Sequence, residues 1–169
     1  VIQRSFADPF VLKFDGAYFA YCTGRWDDGR VFGVLRSPDL VNWAEVGGAM
    51  AEPDDPQPFF WAPEVIYRNG TFYLYYSTGN EKLMHLRVAT SDRPDGRFKD
   101  AGVRLTKEDF AIDAHVFIDD DGQRYLFYAT DFLDHTHIGT GIVVDRMLDW
   151  FTLAGEARPV VRAKYDWQV

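Results

Sequence analysis

"FDGAYFAY" (residues 14–21), "RNGTFYLYY" (68–76) and "DDDGQRYLFY" (119–128) are three versions of one unit: a strand end, a tight turn containing glycine, then an aromatic-rich strand. Gly16, Gly70 and Gly122 stand where such a turn needs a positive φ, which glycine adopts without a Cβ clash. Apolar residues alternate with period two around each turn, the pattern of strands rather than helices. A second landmark follows each hairpin, in "VLRSPDLVNW" (34–43), "VATSDRPDGRF" (88–98) and "IVVDRMLDWF" (142–151). Its Ser37, Ser91 and Asp145 are spaced 54 residues apart. A repeat of that length holding about four short strands has the size of a β-propeller blade. The expected fold is therefore all-β, with three four-stranded blades at approximately residues 6–55, 56–108 and 109–165 of a single domain. The nearest approach to a helix is a turn around Lys107–Phe110. Trp43, Phe98 and Trp150 recur at matching places and are expected in the core.

Of the 169 residues, 47% are apolar and 17% aromatic, ample material for a core and unlike a disordered chain. Against 18 basic residues stand 26 acidic ones, and the net charge of −8 repels nucleic acid while tolerating a neutral ligand such as a sugar. No apolar run reaches membrane-spanning length, and no secretory leader is read at the start, so no membrane partner is expected. Cys22 is the single cysteine, which excludes a disulfide within the chain and fits a reducing compartment such as the cytoplasm, while leaving the location open. Gly24, Gly29 and Gly33 form no strand–loop–helix phosphate cradle, and Asn69-Gly70-Thr71 reads as a structural hairpin rather than a glycosylation site.

Aligning the repeats on their turns singles out one position. Eight residues before Gly16 is Asp8, and eight before Gly70 is Ala62. Nine before Gly122, allowing one extra residue in the third turn, is Asp113. Each opens the innermost strand of its blade, and those strands ring the axis. Asp8 and Asp113 are therefore expected to converge, buried, on one axial pocket. Alone, Asp8 ahead of Pro9 reads as a turn or strand cap. Its counterpart two blades on turns the reading toward a functional pair. Carboxyls sharing a pocket have pKa values pushed apart by burial and repulsion, as acid–base chemistry requires.

Other side chains extend this pocket. Glu64 lies two residues beyond Ala62 on the same strand face. Two readings of it stand open: a carboxylate on the pocket rim, or a partner for an Arg or a backbone amide. Trp61 offers a flat face for a sugar ring or for packing between blades. His115, two residues after Asp113, is expected to line the pocket rather than to hold a metal. His135 and His137 lack further spaced ligands and read as part of an exposed loop. No metal site is assigned from the residues.

The segments "ADPFV" (7–11), "FWAPEVIYRNGTFYLYYS" (60–77) and "IDAHVFIDDDGQRYLFY" (112–128) resemble glycoside hydrolase family 43. The resemblance implies five-bladed propeller enzymes, inverting hydrolases of α-L-arabinofuranosides and β-xylosides, acting on oligo- or polysaccharide. It implies Asp8 as the general base and Asp113 as the residue that tunes and orients the acid; Trp61 and His115, from the residue reading, are the expected substrate-binding side chains. The acid of the family is a fourth-blade Glu, usually followed by Gly-Pro. No Glu-Gly-Pro occurs in this sequence, and Glu156 is followed by Ala157-Arg158. Glu64, or a carboxyl from a second copy, is the expected substitute. The resemblance implies no cofactor beyond the axial calcium of some relatives, whose His ligand belongs to a later blade.

Three blades leave open faces that normally pack on neighbours. Self-association is therefore expected, in its simplest form a two-fold dimer closing a six-bladed ring. Two alternatives stand beside the hydrolase reading: a carbohydrate-binding propeller without turnover, and an inactive fragment.

Overall fold

A computed structural model describes residues 4–55, 57–134 and 136–168. The described residues form three antiparallel sheets of four strands each. The first holds β1 (Phe10–Phe14), β2 (Ala17–Tyr21), β3 (Val31–Ser37) and β4 (Ala44–Met50) in that spatial order. The second holds β5 (Phe59–Arg68), β6 (Thr71–Gly79), β7 (Met84–Ser91) and β8 (Lys99–Arg104), again in order. β9 (Ala111–Ile118), β10 (Arg124–Phe132), β11 (Gly139–Met147) and β12 (Arg158–Val161) make the third.

Turn chemistry sets the register. Asp15 and Gly16 have φ of 46° and 73°, and Asn69 and Gly70 have 50° and 83°. Two successive residues of positive φ match the twist of a two-residue hairpin. The third hairpin is longer: Asp119 N–H donates to the Gln123 carbonyl, and Gly122 N–H to that of Asp119, each at 2.8 Å. Phe10 pairs with Tyr21, Glu64 with Tyr75, and His115 with Phe127, so the three sheets superimpose position for position.

Two apolar layers join the sheets. Tyr21, Phe32, Phe60, Phe72 and Tyr76 are buried between the first and second. Tyr75, Leu86, Leu126, Tyr128 and Met147 are buried between the second and third. One clasp is repeated at both joints. Phe98 reaches back from the second sheet to set its ring edge-on to Tyr21 at 6.3 Å. Trp150 reaches back from the third to stack on Tyr73 at 4.7 Å, and its carbonyl accepts the Tyr75 hydroxyl at 2.8 Å.

Phe98 is buried as expected, and Trp150 is half-buried against the second layer. Trp43 is half-buried as well but packs in neither apolar layer, and its indole donates within its own turn to the Leu40 carbonyl at 3.0 Å. The reason is positional, since no sheet among the described residues precedes the first for Trp43 to clasp.

Ser37, Ser91 and Asp145 are buried and close the turns after β3, β7 and β11. Ser37 Oγ accepts from the Leu40 amide at 2.9 Å, and Asp145 accepts from Gly155 at 2.9 Å. The turn expected around Lys107–Phe110 is not helical. Arg104 donates to the carbonyls of Thr106, Lys107 and Glu108 at 2.7, 3.1 and 2.8 Å, drawing them away from intrahelical bonds. Helix among the described residues is confined to a 3-10 turn, Asp166–Gln168, far too short to cross a membrane.

Candidate active site

Asp8, Ala62 and Asp113 share a backbone conformation as well as an alignment. Their φ values are 49°, 43° and 59°, all in the left-handed region that residues with a Cβ seldom enter. Each such residue costs about 1–2 kcal/mol, less for Asp, whose short polar side chain is suited to it. Strand pairing breaks at the same places. The β5–β6 register shifts between Trp61 and Glu64, and that of β9–β10 shifts across Ile112 and His115. An extra residue in a strand bends it and re-aims its side chains. The second and third sheets therefore carry a bulge at the innermost strand start, and the left-handed residue recurs in all three, as an aspartate in two of them.

A hydroxyl of the preceding sheet holds Ala62 and Asp113 in place. Thr23 Oγ1 donates to Asp8 Oδ2 at 2.6 Å and accepts the Ala62 N–H at 2.8 Å. Ser77, 54 residues later, accepts the Asp113 N–H at 3.1 Å. The Gly24 N–H donates across the same joint to the Phe60 carbonyl at 2.8 Å. Thr23 and Ser77 escaped the reading of the sequence. Their shared spacing with the repeat is the signal that marks them.

Both carboxylates are solvent-exposed, against the expected burial. The axial ends of β1 and β9 face a side that no sheet among the described residues covers. Asp113 is nonetheless backed by the joint between the second and third sheets. Desolvation there raises its carboxyl above the usual range, and the charge of Asp8 raises it further. That coupling brings the two aspartates into one electrostatic neighbourhood.

Glu64 and His115 occupy equivalent positions on adjacent innermost strands and meet. Glu64 Oε2 lies 2.9 Å from His115 Nδ1, and Oε1 accepts the Val116 N–H at 3.1 Å. Of the two readings left open for Glu64, this is the one with a backbone amide as partner. Trp61 is half-buried and stacked on Phe59 at 4.9 Å. Behind them Arg25 fixes the crossover from the first sheet. It is bidentate to Glu52 at 2.6 and 3.0 Å and donates to the carbonyls of Gln57 and Pro58, each at 2.8 Å. Arg25 was likewise not anticipated.

His137 Nδ1 lies 3.2 Å from an Asp166 oxygen, while His135 lies outside the described residues. Among the described residues no three His, Cys, Asp or Glu side chains gather as metal ligands. The calcium implied by the resemblance therefore finds no complete donor set among the described residues, and no chemical step is routed through it.

Residues 1–168 match the family model described as glycosyl hydrolases family 43. A solved endo-1,4-beta-xylanase from Bacteroides thetaiotaomicron is 36% identical with a TM-score of 0.82, over 97% of this chain and 55% of its own. A solved thermostable family-43 glycoside hydrolase is 32% identical with a TM-score of 0.79, over 96% of this chain and 55% of its own. An extracellular endo-alpha-(1->5)-L-arabinanase of Bacillus subtilis is 30% identical over 139 residues, which are 73% of this chain and 42% of that protein. The chain thus spans about half the length of the relatives it matches.

Proposed function

Because the chain belongs to glycosyl hydrolases family 43, we propose that it contributes the base side of a glycoside hydrolase site acting on arabinose- or xylose-containing glycans. What supports this reading is the coupled pair Asp8 and Asp113, carried at equivalent left-handed positions of two sheets. The proposed mechanism is inverting, with a water between base and acid that are roughly 6.5–9.5 Å apart. Asp8 is the base. Thr23 occupies one of its oxygens, and the other is left to take a proton from the attacking water. Asp113, held neutral to higher pH than an ordinary carboxyl, donates a hydrogen bond where an ionised group would repel Asp8. Trp61 supplies an apolar face for the sugar ring. Both Glu64 oxygens are engaged by β9, so its geometry suits positioning better than proton donation.

This division of labour is tested with leaving groups that depart without protonation. We expect the chain to release 2,4-dinitrophenol from the activated xyloside or arabinofuranoside far faster than 4-nitrophenol from the corresponding glycosides. Asp8→Asn should lower that rate at least 100-fold, the low end of what a general base contributes, roughly 10²–10⁴. Equal rates for Asp8→Asn and the unaltered chain would refute the assignment. The uncovered outer faces of the first and third sheets also support self-association, with each sheet acting as one blade of a ring shared by two copies.

A further inference from the structure

We propose that Glu64 fixes the tautomer of His115, so that Nε2 presents a lone pair to the axial cleft and accepts a hydroxyl hydrogen from the bound glycan. The inference rests on the hydrolase reading and adds a recognition device to it. A carboxylate can only accept, so the 2.9 Å contact from Glu64 Oε2 requires the proton of neutral His115 to sit on Nδ1. Nε2 is then an acceptor. Glu64 is itself held in place, because its second oxygen receives the Val116 N–H of the neighbouring strand at 3.1 Å. Its side chain is 17% exposed, whereas that of His115 is 60% exposed. The anchored member is thus sheltered and the presenting member open.

Position supplies the rest. His115 follows Asp113 by two residues, but the bulge at Asp113 and Ala114 resets the register between them. The pair bridges β5 and β9, so the acceptor is built only when the second and third sheets dock. An Nε2 acceptor on the rim discriminates for a ligand whose hydroxyl points outward as a donor. Glu64 is a positioning residue here and His115 a substrate-binding one.

Nitrogen-15 correlation spectra of the His115 ring test the tautomer on the folded chain without requiring turnover. Nδ1 should be the protonated nitrogen, and Glu64→Ala should release that preference. A ring protonated on Nε2 in the unaltered chain overturns the proposal. Calorimetric titration with xylotriose and with α-1,5-arabinotriose tests the acceptor. His115→Gln places an amide oxygen near the Nε2 position and should hold affinity within about twofold. His115→Phe should weaken it roughly three- to tenfold, the worth of one hydrogen bond. Equal affinity for His115→Phe and the unaltered chain overturns the recognition role alone. An unaltered chain with the expected tautomer that binds neither sugar overturns it together with the hydrolase reading.

Discussion

Replacing Thr23 by valine removes one hydroxyl while keeping shape and volume, so no cavity forms. Two bonds go with it: the 2.6 Å donation to Asp8 and the 2.8 Å acceptance from Ala62. A hydrogen bond to a charged group contributes about 1.5–3 kcal/mol, and a backbone N–H left without a partner costs about 1–3 kcal/mol. Asp8 is exposed, so water replaces part of the first contribution. The sum then lies toward the low end, about 2–3 kcal/mol. For a chain of this size that corresponds to a fall in Tm of roughly 5–10 °C. Urea unfolding reads it as a lower midpoint at unchanged slope. Thr23→Ser keeps the hydroxyl and should lose less than about 1 kcal/mol. Equal losses for serine and valine, or a valine variant within about 0.5 kcal/mol of the unaltered chain, would show that this hydroxyl does not join the sheets.

Asp113 provides a pH signature. Its folded carboxyl titrates above its unfolded one, through desolvation and then the charge of Asp8. The folded state therefore binds more protons across that interval, and stability falls as pH rises from the ordinary carboxylate range through the raised folded value. Unfolding of Asp113→Asn measured over the same range should lack this component of the slope; an unchanged slope contradicts the assignment. The clasps give a paired test by thermal unfolding. Trp150→Ala should cost about 2–3 kcal/mol, because the ring is half-buried on Tyr73. Trp43→Ala should cost under about 1 kcal/mol and reduce association measured by light scattering, since its ring offers a second copy the clasp that Trp150 offers Tyr73.

How much was legible depends on whether a residue's role is local or shared. The hairpins could be read directly because positive φ at Gly16, Gly70 and Gly122 is a local demand with few residues able to meet it. The 54-residue spacing then aligned Asp8, Ala62 and Asp113, and the structure gives all three the same left-handed backbone. Trp43 differs for an equally physical reason: its repeat position predicts a ring built for a clasp, but the clasp depends on whether a neighbouring sheet is there to take it.

The sequence by itself determined the all-β class, the blade period and the positions of the two aspartates, since alternation, turns and spacing are written along one chain. Only the tertiary structure decided that Thr23 ties Asp8 to the next sheet, that Glu64 faces His115, and that the carboxylates stand in water. The first two facts are contacts between residues 15, 39 and 51 positions apart. A hydrogen bond across a joint depends on how two sheets dock, which no local pattern encodes.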